Sequence, residues 1–154
     1  MSTETENTLW MDLAAGRVVI RLRPDLAPVH VARIRALAEE GFYDGIVFHR
    51  VIEGFMAQGG DPTGTGRGGS GQRLPAEFSD EPYLRGTCGM ARTSDPNSAD
   101  SQFFIMFDEG SFLNGQYTVW GEVIEGMEHV DALARGEPPR NPDKILRMRA
   151  AAAA

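Results

Sequence analysis

A chain of 154 residues that is 42 % hydrophobic, 24 % charged and carries a formal charge of −7 has the size of one domain and the composition of an ordinary globular protein, which excludes disorder. No apolar run approaches the ~20 residues of a spanning helix, the polar opening Met1-Ser2-Thr3-Glu4 is unlike a secretory signal, and the 15 lysines and arginines are spread rather than clustered, against a nucleic-acid partner. With Cys88 as the lone cysteine there is no internal disulfide, and the expectation is a single cytoplasmic domain over 1–154, with no membrane or nucleic-acid partner and frayed ends at 1–6 and 150–154.

Residues 8–13 and 17–23 alternate in polarity around Ala14-Ala15-Gly16 and predict an opening hairpin, with Val18, Ile20 and Leu22 facing one side and Arg17, Val19 and Arg21 the other. The period then changes. Val31, Ile34, Leu37 and Ala38 recur at helical spacing between Pro28, suited to a first turn, and Gly41, suited to a stop, so 28–40 predicts a helix with Arg35 and Glu39 placed to pair. Next come two apolar runs, 47–52 and 55–58, around Glu53-Gly54, which signals a second hairpin. Strand parity puts Arg50, Met56 and Gln58 on one surface and Val47, His49 and Val51 on the other. A guanidinium in the middle of an apolar hairpin is the residue that asks for a function.

Residues 62–75 are Gly-rich and aperiodic, hence a long loop. Gly64, Gly66 and Gly69 match G-x-G-x-x-G in spacing, but no capped helix follows and Pro75 interrupts, so the dinucleotide reading lacks its βαβ context. Further strands are predicted at 86–92, 101–107, 117–123 and 144–149, turns at Asp95-Pro96-Asn97 and Phe112-Leu113-Asn114-Gly115, and a second helix at 127–135, stopped by Gly136 and Pro138-Pro139. In 101–107, Gln102, Phe104 and Met106 share one face and Phe103, Ile105 and Phe107 the other, so both faces are largely apolar. The outer one must be covered or offered to a partner. About eight strands and two helices, without repeats, favour a mainly β, closed antiparallel barrel over a doubly wound sheet.

The usual chemistries find little purchase. His30, His49 and His129 with one cysteine show no ligand spacing, so no metal is expected. Cys88 reads as a small core residue, His49 as a core histidine bonded to backbone, and Asp61 and Glu77 have no visible partners. What remains is Arg50, Phe55, Met56, Gln58, Gln102, Phe104 and Phe112: apolar walls, two amides and one guanidinium. Such a set suits a reaction with no proton or electron transfer and no cofactor.

Phe48-His49-Arg50-Val51-Ile52, Gly54-Phe55-Met56-Ala57-Gln58-Gly59-Gly60-Asp61, Gly89-Met90-Ala91-Arg92, Asn97, Ser101-Gln102-Phe103-Phe104-Ile105, Leu113-Asn114-Gly115 and Val119-Trp120-Gly121-Glu122-Val123 together resemble, in order and over nearly the whole chain, the cyclophilin-type peptidyl-prolyl cis-trans isomerases in their compact bacterial form. The resemblance implies a closed eight-stranded antiparallel barrel capped by two α-helices, with a groove for proline-containing peptides and folding proteins on its outer face. It further implies Arg50 and Gln58 as catalytic residues, a proline pocket of Phe55, Met56, Phe104 and Leu113, and Gln102 holding the carbonyl side or Arg50. Ala91, the Arg92 backbone and Thr93 would bind the residue before proline, with Phe112 and Tyr117 at the rim.

Rotation about the peptide bond costs ~20 kcal/mol because twisting destroys amide resonance, which sets a timescale of roughly a hundred seconds. In the twisted state the prolyl nitrogen regains a lone pair, and a donor aimed at it binds that state better than either planar one. Arg50, always protonated and stiff, fits the role. A turnover of ~10 per second needs about 4 kcal/mol, whereas a hydrogen bond to a charged group yields ~1.5 to 3. The rest must come from a dry site and from restraint of one side of the bond. Several positions depart from the family: Arg92 and Thr93 stand where many relatives have Asn and Ala, Phe112 where the best-known eukaryotic members have Trp, and Tyr117 where they have His. Since that Trp contributes to cyclosporin binding in the family, weak cyclosporin binding is expected, to a monomer. The second expectation, from a different class, is a non-catalytic proline-peptide binding module or holdase chaperone using the same groove.

Overall fold

The computed structural model describes residues 7–151, so of the frayed ends expected at 1–6 and 150–154, residues 1–6 and 152–154 lie outside the described residues. The strands are β1 (Thr8–Leu13), β2 (Gly16–Leu22), β3 (Arg50–Ile52), β4 (Met56–Gly59), β5 (Thr87–Met90), β6 (Phe103–Met106), β7 (Val119–Glu125) and β8 (Arg147–Ala150). Two helices, α1 (Pro28–Glu39) and α2 (Met127–Asp131), and one 3-10 turn, Ser111–Leu113, complete the set. All strand pairings are antiparallel, in the order β3-β4-β6-β5-β7-β2-β1-β8.

The mainly β fold with two helices is as expected, but the sheet is an open half-barrel rather than a closed one. The two end strands, β3 and β8, form no ladder with each other. Near that gap the C-terminal segment pairs only through isolated bridges, Val47 with Lys144 and Val51 with Gly136. The same competition shortens β3, because Phe48 donates its N–H to Asp143 O (2.9 Å) instead of extending the hairpin.

Inside the sheet, Leu9, Met11, Val18, Ile20, Phe48, Phe103, Trp120 and Met148 are wholly buried in one core, each worth ~1.5 to 3 kcal/mol of apolar transfer. Helix α1 adds Val31, Ile34, Leu37 and Ala38 to that core, packed against β7 and β8, and the chain leaves it through Gly41 at φ +76°. The Arg35–Glu39 pair does not form: the Arg35 Nε is buried without a partner. Helix α2 stops at Asp131, earlier than the predicted Arg135, because the Ala134 N–H goes to the Asp143 carboxylate (2.8 Å) and Arg135 turns back onto the Asp131 and Leu133 carbonyls. Ala150, expected to fray, is the last residue of β8, fully buried and paired with Leu9. Cys88 is a buried free thiol, whose pKa burial pushes up.

The sheet has a second apolar layer on its outside. Along β6, Phe103 and Ile105 enter the inner core while Phe104 and Met106 join Met56, Tyr83, Leu113 and Val119 in a separate cluster. Both faces of β6 are therefore used, as its alternation suggested, and the outer cluster is where the site lies.

Candidate active site

Strand register aligns the outer-face residues in a row. Arg50 on β3 pairs with Gln58 on β4, Gln58 with Phe104 on β6, and Phe104 with Gly89 on β5. Gly89 has no side chain for a reason: a Cβ there would lie 2.5 Å from Phe104 Cζ and 2.6 Å from Tyr83 Oη. The Phe104 ring, freed to lie across the sheet, stacks on Tyr83 at 5.7 Å and meets Tyr117 edge-on at 5.9 Å. Tyr83, which sequence reasoning left unassigned, is fixed by its hydroxyl donating to Tyr117 O (2.7 Å).

A cavity of about 140 Å³ opens above this row, lined by Arg50, Phe55, Met56, Gln58, Ala91, Arg92, Phe104, Leu113 and Tyr117. Nine of the twelve residues expected at the site thus meet in one place. Thr93 and Gln102 line an adjoining cavity that shares Gln58, Ala91 and Arg92. Phe112 lines neither; its ring leans on Phe55 at 5.5 Å and is 64 % exposed, on the rim.

The polar groups form one connected run. Arg50 Nη1 donates to Gln58 Oε1 (3.3 Å), Gln58 Nε2 to Gln102 Oε1 (3.0 Å), and Gln102 Nε2 to the carbonyls of Gly66 (2.9 Å) and Gly68 (3.0 Å). Those glycines belong to the predicted long loop, and Asp61 holds them. Its carboxylate accepts the N–H groups of Thr63 (2.8 Å), Gly66 (2.7 Å) and Gly68 (3.0 Å) and the Thr63 hydroxyl. Burial by itself would raise the pKa of Asp61, yet these donors bring it down to about 2. The sequence had a signal here, since Asp-x-Thr is Asx-turn chemistry, but a carboxylate reaching seven residues ahead has no local signature.

Arg50 is also held from the other side by Glu137, which accepts from Nε at 3.1 Å. This contact was not foreseen. The Arg50 side chain is 43 % exposed in the free protein. His49 is buried beneath the loop, near Gly66, but its Nδ1 has no partner, so the backbone bond expected for it is not made. Burial lowers its pKa, the nearby Asp61 opposing and Arg50 assisting.

Among the described residues, no group of three or more His, Cys, Asp or Glu could hold a metal ion, and no helix is long and apolar enough to cross a membrane.

The family model for cyclophilin type peptidyl-prolyl cis-trans isomerase/CLD matches residues 8–150. A probable peptidyl-prolyl cis-trans isomerase of Brucella suis is 53 % identical over 163 residues, covering 95 % of this chain and 83 % of the relative. Peptidyl-prolyl cis-trans isomerase B of Bacillus subtilis is 42 % identical over 124 residues, 79 % of this chain and 86 % of that one. Among solved structures, cyclophilin AquaCyp293 from Hirschia baltica superposes with a TM-score of 0.88 at 33 % identity, over 95 % of this chain and 74 % of that one. A Cryptosporidium parvum cyclophilin type peptidyl-prolyl cis-trans isomerase, crystallised in the presence of the dipeptide ala-pro, gives 0.86 at 30 % identity, over 93 % and 98 %. With the sheet order, the outer-face row and these relatives in agreement, the chain belongs to the cyclophilin-type peptidyl-prolyl cis-trans isomerases, and its reaction is rotation about X-Pro peptide bonds.

Proposed function

We propose that the 140 Å³ cavity receives the prolyl ring on Phe55, Met56, Phe104 and Leu113, with Phe112 and Tyr117 at its edge, and that Arg50 and Gln58 perform the catalysis. One observation carries this reading: a guanidinium stands beside an apolar pocket with a donor to spare. Nε is bonded to Glu137 and Nη1 to Gln58, while Nη2 has no partner among the described residues. Nη2 is the donor for the prolyl nitrogen as its lone pair emerges, a bond stronger in the twisted state than in either planar state. Gln58, bonded to both Arg50 and Gln102, holds the guanidinium in place and limits the reorganisation needed at the moment of twisting.

The residue before proline is held by the backbone of Arg92, with Ala91, Thr93 and Gln102 beside it. Neither the N–H nor the C=O of Arg92 is bonded within the described residues, although the neighbouring Ala91 N–H is bonded to Gln102 O (3.0 Å). An extended peptide can therefore pair there as an added strand residue. With one side of the X-Pro bond so restrained, the other turns.

We also propose that residues 1–154 form a single domain acting as a monomer on unfolded or folding proteins of the cytoplasm. The buried free thiol of Cys88 is in keeping with a reducing compartment.

The test is the cis-trans exchange rate of an Ala-Pro peptide measured by NMR. Loss of the Arg50 bond should lower kcat/KM about 10- to 100-fold in Arg50→Ala, since a charge-assisted bond is worth ~1.5 to 3 kcal/mol. Arg50→Lys should rescue little, because it lacks the planar fork that serves Glu137, Gln58 and substrate together. Peptide binding without acceleration, in both wild type and Arg50→Ala, would instead establish the proline-peptide binding module or holdase.

A further inference from the structure

Next to the proline cavity, and sharing Gln58, Ala91 and Arg92 with it, lies the second cavity, of about 430 Å³. On a protein of net charge −7 its wall is cationic: Arg67, Arg73 and Arg92 line it against one carboxylate, Asp100. That carboxylate is already occupied, accepting from the Ser70 N–H (2.7 Å), the Ser70 hydroxyl (2.6 Å) and the Gly71 N–H (3.1 Å). Arg73 has only a long, exposed contact with Asp95 at 3.7 Å, and the Arg67 guanidinium has no bonded partner among the described residues. Arg92 is tied by Nε and Nη2 to Gln116 O and by Nη1 to Thr93 O, carbonyls that orient its charge without neutralising it.

Chain geometry says which part of a substrate reaches this wall. A peptide extended along Arg92 alternates its side chains, so the residue two before proline points to the same side as the prolyl ring, about 7 Å along. With the ring in the first cavity, as in the reading above, that earlier side chain would face the second.

We propose that Arg67 and Arg73, backed by Arg92, select a carboxylate-bearing side chain two residues before the target proline, so that preferred sites read Glu-X-Pro or Asp-X-Pro. The inference rests on the placement of proline and of the Arg92 backbone in the reading above. Because the arginines are mostly solvated, the preference is moderate and sensitive to salt.

The experiment compares NMR exchange rates for three peptides, Glu-Ala-Pro-Phe, Gln-Ala-Pro-Phe and Lys-Ala-Pro-Phe, each blocked at both ends. Wild type should prefer the Glu peptide over the Lys peptide in kcat/KM by roughly three- to tenfold at low ionic strength, and the ratio should fall towards one in ~0.5 M salt. In the Arg67→Gln/Arg73→Gln double variant the ratio should approach one, and in Arg67→Glu/Arg73→Glu it should invert. Misfolding cannot produce an inversion. Equal rates for the Glu and Lys peptides in wild type, or a preference that survives both double variants, overturns the proposal while leaving the catalytic reading intact. Absence of acceleration for all three peptides overturns both.

Discussion

Two of the three Arg50 nitrogens are already committed within the protein. Glu137 takes Nε and Gln58 takes Nη1, so the guanidinium plane is set in the free protein, and in the catalytic role proposed for Arg50 little ordering would remain to be done in the transition state. At the rim the residue choice has a different consequence. Phe112 presents an exposed ring against Phe55 but no N–H, so an inhibitor that uses a ring donor at this position finds none. Cyclosporin should therefore inhibit weakly, and Phe112→Trp should tighten inhibition by about tenfold, the worth of one added hydrogen bond. Inhibition curves from the isomerase assay decide it, and nanomolar inhibition of the unmodified protein would refute the argument.

Strand β5 contributes to the site by what it lacks. Gly89 lets the Phe104 ring cross the sheet to Tyr83, and Gly89→Ala would force both rings aside. Overpacking of this kind costs ~1 to 3 kcal/mol, so the variant should show a lower urea midpoint and a raised KM for Ala-Pro peptides; an unchanged KM would mean that Phe104 is not the pocket floor. The strands that carry the site were legible in the sequence because their alternation is intact: Arg50, Met56 and Gln58 do share a surface, and Gln102, Phe104 and Met106 do face outward beside them. The groups that hold those residues were not. Glu137 lies 87 residues from Arg50, Glu77 lies 47 from His30, and each sits in an aperiodic segment where only the folded chain defines its neighbours. Closure of the barrel was misjudged for a related reason, since counting strands says nothing about whether the first and last of them meet.

Across the whole molecule, polar contacts around Glu77 and His30 make the fold sensitive to acid. Glu77 caps α1 by accepting the Val29 N–H (3.1 Å) and His30 N–H (2.8 Å), and its carboxylate meets His30 Nδ1 at 2.6 Å. Burial lowers the pKa of His30 despite Glu77, and its Nε2 has no partner to receive a second proton. Burial opposes ionisation of Glu77 too, but His30 and the helix N–H donors outweigh it and its pKa is lowered. Both groups, and Asp61 with them, thus titrate lower in the folded state than their ordinary values of 6.5, 4.5 and 3.8. On acidification the unfolded chain binds protons first, and stability falls with pH. Urea midpoints should decline from pH 7 to pH 4, with the decline below pH 5 reduced in Glu77→Gln; a midpoint that rises on acidification would contradict this. The amide run from Arg50 to the loop has, finally, a sense as well as a path: each oxygen receives from the arginine side and each nitrogen gives towards the loop, and the fixed carbonyls of Gly66 and Gly68 forbid reversal. Gln58→Glu, which looks like an improvement from where Arg50 stands, would set an anion against Gln102 Oε1, and turning Gln102 over to relieve it would face that oxygen to two carbonyls. The backbone polarity of a surface loop thus dictates which amino acid Arg50 can have as its neighbour.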